Sequence, residues 1–212
     1  MHLDDLHSLL GSNPSSPRLN NFQANLSDTP TGPQPDVKAY PDVLYHNYYD
    51  LGVSFCYTPA AGSSISARAN PEDLVLDSID IYHRSEEEVV PPRPGRLPKP
   101  TFDTFKGVPI EFPLVATTKE ESSATTPLTS FILDAETIGK DLVGKLGEPT
   151  KKGGGTRGQD VYLEWAKLGI QIDLKDQGKE VTEEQKKRGL GGVWDKAAEW
   201  SWSCLKVFEK AA

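Results

Sequence analysis

Apolar residues recur along this chain in two rhythms, and the change from one to the other divides it into predicted elements. Leu3, Leu6 and Leu10 fall at i, i+3 and i+7, a single stripe that predicts a helix over residues 2–11. Asp4 and Asp5 sit in its first turn, where the backbone dipole favours negative charge, and Gly11 is its stop. Ile138, Leu142 and Leu146 predict a second helix, with Asp134 as N-cap and Gly147 closing it ahead of Pro149. Elsewhere the rhythm is two. The aromatic and β-branched run Val43–Tyr57 is long enough for two strands about a tight turn near Asp50, Leu51 and Gly52. In its second half Val53, Phe55 and Tyr57 share one face, with Ser54 and Cys56 on the other. A third strand is predicted over Leu74–His83, with Leu74, Leu76, Ser78 and Asp80 alternating with Val75, Asp77, Ile79 and Ile81. Asp160–Trp165 and Leu168–Leu174 predict a second hairpin, and Trp200–Phe208 a closing strand.

The stretches between these elements are polar and rich in turn formers. Residues 12–41 carry scattered apolar positions (Leu19, Phe22, Leu26) among Pro, Ser and Asn, which predicts a long loop or disordered insertion. From Arg84 the chain is acidic and then proline-dense, an extended connector. Val108–Val115, broken by Pro109 and Pro113, supports an edge strand at most. Residues 117–127, 151–158 and 175–192 read as loops, the last with a helical turn as alternative.

The elements come in the same order twice. Tyr48–Phe55 and Trp165–Ile172 share one plan: an aromatic residue, two variable positions, Leu-Gly, then alternating apolar residues. Setting Gly52 against Gly169 aligns Tyr45 with Tyr162, Tyr48 with Trp165, Leu51 with Leu168, Val53 with Ile170 and Phe55 with Ile172. Each copy follows a Leu-Gly turn ending in proline, at Leu10 to Pro14 and at Leu146 to Pro149. A helix with three or four strands has one apolar sheet face too small to be stable alone, and two such units can share a sheet. The predicted fold is therefore α+β: one domain over residues 1–212, with a first repeat at 1–116 and a second at 128–212. It has a largely antiparallel sheet of six to eight strands and the helices on one face.

The motifs Leu10-Gly-Ser-Asn-Pro14, Tyr45-His-Asn-Tyr-Tyr-Asp-Leu-Gly-Val53 and Ser78-Ile-Asp-Ile-Tyr-His83 carry a resemblance. Their order is similar to the tandem repeat of the β-lactamase-inhibitor-protein-like fold, which occurs singly in BamE/SmpA-type lipoproteins. It resembles more closely the phagosome assembly factor family. That resemblance implies a place in autophagy- or phagophore-related membrane trafficking, and the duplicated sheet without catalytic groupings reads as a cytoplasmic, non-enzymatic adaptor.

Charge and composition narrow the chemistry. A net charge of −8 argues against gripping a nucleic-acid backbone, which needs a dense basic surface. No apolar run is long enough to span a bilayer, and the N-terminus has no basic segment followed by an apolar core, so an intracellular location is expected. The two cysteines, Cys56 and Cys204, lie in apolar alternating runs and read as structural thiols. The four histidines show neither i, i+4 pairing nor cysteine partners, so neither a metal nor a cofactor is expected. No nucleophile elbow, dinucleotide fingerprint or HExxH motif is present, so no catalytic residue is assigned.

Two groups of residues remain for binding. Tyr45, Tyr48, Trp194, Trp200 and Trp202 are the candidate contacts for a protein partner, although at period two half of the strand aromatics must pack inward. Trp194, in a glycine-rich approach to the last strand, is the one expected to be exposed. Lys151, Lys152, Gly153, Gly154, Gly155 and Arg157 form a basic, glycine-rich run able to cradle an anion or a phosphoinositide headgroup through free backbone N–H groups, with peripheral membrane contact as the consequence. The run lacks P-loop order and precedes a strand rather than a helix, so a flexible loop is its plain alternative.

Overall fold

The computed structural model describes residues 1–27, 32–60, 69–84, 100–114, 130–154, 161–176 and 192–211. Four helices occur among them: α1 (Leu3–His7), α2 (Pro17–Leu26), α3 (Gly139–Leu146) and α4 (Gly192–Ala197). Eight strands make one antiparallel sheet: β1 (Asp36–Ala39), β2 (Leu44–Tyr48), β3 (Val53–Pro59), β4 (Leu74–Tyr82), β7 (Lys151–Gly154), β8 (Val161–Trp165), β9 (Ile170–Lys175) and β10 (Ser201–Phe208). Their spatial order is β1-β2-β3-β4-β10-β9-β8-β7. The short strands β5 (Ile110–Pro113) and β6 (Ser130–Leu133) pair separately. The fold is α+β, as the two rhythms predict.

The Tyr48–Phe55 motif lies in a hairpin whose connection is a 3-10 turn. Tyr49–Leu51 forms that turn and Gly52 leaves it at φ 67° and ψ 33°. Ala166–Leu168 does the same before Gly169, at φ 65° and ψ 38°. Left-handed backbone admits glycine at little cost. Close approach adds a second demand, because a Cβ on Gly52 would lie 2.4 Å from the Asp103 carbonyl oxygen, and one on Gly169 the same distance from that of Phe208.

Counted from these two glycines, the pairings coincide. Leu44 faces Tyr57 as Val161 faces Leu174, and Tyr48 faces Val53 as Trp165 faces Ile170. Asp36 faces Asn47 as Lys151 faces Glu164. Both long strands carry a bulge at the same place: Asp77 is the extra residue of β4 against β3, and Ser203 that of β10 against β9. Tyr82 donates its N–H to the Gly52 carbonyl at 2.9 Å, as Phe208 does to Gly169.

The bulge corrects the predicted faces of β4. Beyond Asp77 the alternation changes phase, so Leu74 and Leu76 share the core face with Ile79 and Ile81, and Ser78 and Asp80 lie opposite. That core face joins Val53, Phe55, Tyr57, Ile170, Ile172, Leu174, Leu205 and Val207 in one buried cluster. Leu3, Leu6 and Leu9 of α1, Leu19 of α2, Leu142 of α3, and Ile110, Phe112 and Leu133 of the β5–β6 pair belong to the same cluster.

Residues 12–41, expected as a loop, hold α2 and β1. Ser16 precedes Pro17 in the first helical turn, a favoured start, and Leu19, Phe22 and Leu26 are one helical stripe. Leu19 is buried, and the Phe22 ring stacks on Phe105 and meets Phe55 edge-on. The second predicted helix starts later than Asp134. That carboxylate accepts from the Thr137 hydroxyl and the Glu136 N–H in a turn, and Asp141 accepts from the N–H of Ile138, the residue before α3. Lys151–Gly154 is edge strand β7 rather than part of a loop. The loops expected at 117–127 and within 84–107 and 175–192 fall largely outside the described residues.

Candidate functional site

Opposite the apolar core, the large sheet presents a second face, and cross-strand pairing determines its membership. It runs from Lys38 on β1 through Tyr45 and Asn47 on β2, Ser54 and Cys56 on β3, and Ser78 and Asp80 on β4. It continues through Lys206 on β10 and Gln171 on β9 to Glu164 on β8 and Lys151 on β7. Antiparallel neighbours on one face lie about 5 Å apart, so these side chains touch in a continuous row.

The row is held by hydrogen bonds and ion pairs. Lys38 Nζ donates to the Tyr49 hydroxyl at 2.7 Å, and that hydroxyl donates to Asp36 Oδ2 at 3.1 Å. Ser54 Oγ donates to Asn47 Oδ1 at 2.8 Å, and Asn47 Nδ2 to the Asp36 carbonyl at 3.2 Å. Lys206 Nζ stands 2.7 Å from Asp80 Oδ1, Gln171 Nε2 donates to Asp173 Oδ1 at 2.8 Å, and Lys151 Nζ lies 3.1 Å from Glu164 Oε1. Ser54, Cys56, Ser78 and Asp80 are buried at the centre of the row, while Tyr45, Gln171, Glu164 and Lys206 are half-buried. An open depression of about 1180 Å³ lies against this face, bordered by Tyr45, Cys56, Ser78, Gln171, Lys206 and Phe208.

Burial sets the protonation of the row. It pushes the Tyr45 hydroxyl up to about 12 and raises the Cys56 thiol, and it raises the Cys204 thiol well above the ordinary value. Burial works against the Lys206 ammonium, but the Asp80 carboxylate beside it outweighs that, and the lysine is held more firmly protonated than usual. At neutral pH the row thus offers neutral thiols and hydroxyls with a fixed ion pair, and a thiol is a far weaker nucleophile than a thiolate. The arrangement suits recognition by shape and hydrogen bonding.

The sequence-selected residues divide. Tyr45 lies on this face. Tyr48, Trp200 and Trp202 are buried on the core side, where Trp202 Nε1 donates to the Asp134 carbonyl at 2.7 Å. Trp194 on α4 is 40 % exposed. Of the basic run, Lys151 faces Glu164, Lys152 pairs with Glu148, and Gly153 and Gly154 complete β7, while Gly155 and Arg157 lie outside the described residues. Asp80, Lys206, Gln171 and Asn47 were not singled out from the sequence; the signal for them is that they are the off-phase polar positions of the same alternating strands. Among the described residues no group of three His, Cys, Asp or Glu side chains is placed to hold a metal ion, and no helix is long and apolar enough to cross a membrane.

Comparison of the chain with protein-family models, with curated proteins and with solved structures finds no match.

Proposed function

We propose that this chain is a protein-binding adaptor made of two copies of one helix-and-sheet unit, and that it holds its partner on the polar face of the large sheet. The coincident registers, the matched bulges and the two left-handed glycines support the duplication. The observation that carries the binding role is the polar row itself. From Lys38 to Lys151 the row is linked by hydrogen bonds and ion pairs, so much of it is already ordered for a partner.

The half-buried members Tyr45, Gln171, Glu164 and Lys206 present accessible surface on this face to a partner. A rigid row loses little side-chain entropy on docking. The partner suited to it is a folded protein offering hydrogen-bond donors and acceptors, because the charges of the row are already matched.

The alternative role, anion binding at Lys151 to Arg157, would require its two described lysines to exchange Glu164 and Glu148 for the anion.

The test is affinity capture with the full chain, with Gln171→Arg and Tyr162→Arg (Tyr162 lies on the same face, two residues before Glu164) compared with Trp194→Ala on α4. The proposal expects one stoichiometric partner, lost with either face variant while the melting temperature is unchanged. A partner retained by both face variants and lost with Trp194→Ala would move the contact to α4, and repeated failure to capture any partner would remove the adaptor reading.

A further inference from the structure

The large sheet ends in two edges, and the chain treats them differently. On one, β7 carries Lys151 and Lys152 followed by two glycines, side chains and backbone that discourage further pairing. On the other, all four residues of β1 are exposed, Val37 and Tyr40 keep 38 % and 52 % of their surface, and no described strand lies beyond.

The hydrogen-bonding phase of β1 follows from its partner. Tyr40 donates its N–H to the Val43 carbonyl at 2.8 Å, and in this register Lys38 and Asp36 face Tyr45 and Asn47. In an antiparallel ladder hydrogen-bonded residues alternate, so Asp36, Lys38 and Tyr40 turn their backbone groups toward β2 and Val37 and Ala39 turn theirs outward. An incoming strand therefore meets the N–H and C=O of Val37 and the N–H of Ala39.

We infer that this edge pairs with its own copy, β1 against β1 of a second molecule, antiparallel and centred on Val37. The occupant is identified by charge. Centred there, Asp36 of each copy stands opposite Lys38 of the other, so Asp-Val-Lys is its own complement. Two Val37 residues exchange both backbone bonds, and each Ala39 N–H reaches the carbonyl of the opposite Pro35. Pro35 has no N–H, and Pro41 follows the strand, so the ladder stops at these four bonds. Asp36 and Lys38 already lie 3.5 Å apart within one chain, and the dimer sets two such pairs into an alternating square of four charges. The twofold arrangement uses one β1 from each molecule and leaves both β7 edges, with their lysines, on the outside, so it closes at two copies. Pairing of β1 with β7 would repeat without end. The polar row stays open in the dimer, because only an edge is used.

The test is sedimentation velocity of the full chain from micromolar to millimolar concentration. A reversible monomer–dimer equilibrium is expected. Lys38→Asp places like charges opposite each other twice and should weaken the dimer by about tenfold or more. Asp36→Lys combined with Lys38→Asp restores the complement and should restore the dimer. Val37→Pro removes an outward N–H without taking a bond from β2, and should abolish association with the far-ultraviolet circular dichroism unchanged. A chain that stays monomeric to millimolar concentration overturns the inference. So does growth beyond dimers, association of Lys38→Asp equal to that of the original chain, or a charge swap that fails to rescue.

Discussion

Lys206 places its ammonium 2.7 Å from the carboxylate of Asp80, and the two residues face each other in the middle of the β4–β10 pairing. Each is also the third residue after the bulge of its strand. On the duplicated reading they are therefore equivalent positions meeting across the line between the units, one acidic and one basic. Two carboxylates there would repel; an Asp opposite a Lys attracts across β4 and β10.

Removing one partner should cost more than removing both. Lys206→Met leaves Asp80 buried without its counter-charge and should destabilise the fold by about 2 kcal/mol, below the usual figure for a buried pair because the lysine side chain keeps 35 % of its surface. Asp80→Leu combined with Lys206→Met should recover most of that loss. Urea midpoints of the single and double variants decide it: a double variant as unstable as the sum of the singles would show that the pair is not coupled.

The two turn glycines give a second prediction. Gly52→Ala and Gly169→Ala each add left-handed strain of about 1–2 kcal/mol and a Cβ 2.4 Å from a carbonyl oxygen, so both should lower the melting temperature markedly. Gly11→Ala has a similar φ, +78°, but nothing within 4 Å of the added carbon, and should cost only the strain. Equal losses at all three positions would mean that the close approach contributes nothing.

Trp202 and Trp194 separate core from surface. Trp202 is 1 % exposed and bonded to the Asp134 carbonyl, so Trp202→Ala should cost about 3–5 kcal/mol. Trp194→Ala, at an exposed site, should stay within about 0.5 kcal/mol. Thermal melts of the two variants check the contrast, and comparable losses would place Trp194 in the core.

Much of the large sheet was legible because burial on one side writes itself as period two: Val53, Phe55, Tyr57 and Leu205, Val207 show it without help. Gly52 and Gly169 marked the turns through Leu-Gly alone. What failed did so for local reasons. In β4 a single extra residue, Asp77, reverses the phase, and nothing about Asp77 itself signals a bulge. In α2 the stripe Leu19, Phe22, Leu26 was present, but the surrounding Asn, Ser and Pro residues outweighed three apolar positions, and only contact with Phe55 and Phe105 makes that stripe sufficient. β1 has no buried residue, so no pattern could reveal it. The polar row was visible only as the residue of the apolar alternation: its members are ordinary polar side chains whose pairing needs the register.

The histidines supply a pH dependence. Burial lowers the affinity of His46, His7 and His83 for protons below the ordinary value near 6.5, and His46 lies against the Tyr57 ring with centroids 5.0 Å apart. The unfolded chain takes up protons as pH falls through ~6.5, whereas the folded chain resists until lower pH, so the unfolded state gains. Stability should be level above about pH 7.5, decline as pH falls through ~6.5, and stop declining from this source once the folded histidines also protonate. His46→Phe keeps an aromatic ring beside Tyr57 and removes one titrating group, so it should flatten the decline between pH 7 and 5. Urea unfolding across that range measures it. A decline as steep in His46→Phe as in the original chain would assign the pH dependence to His7, His83 and the carboxylates instead.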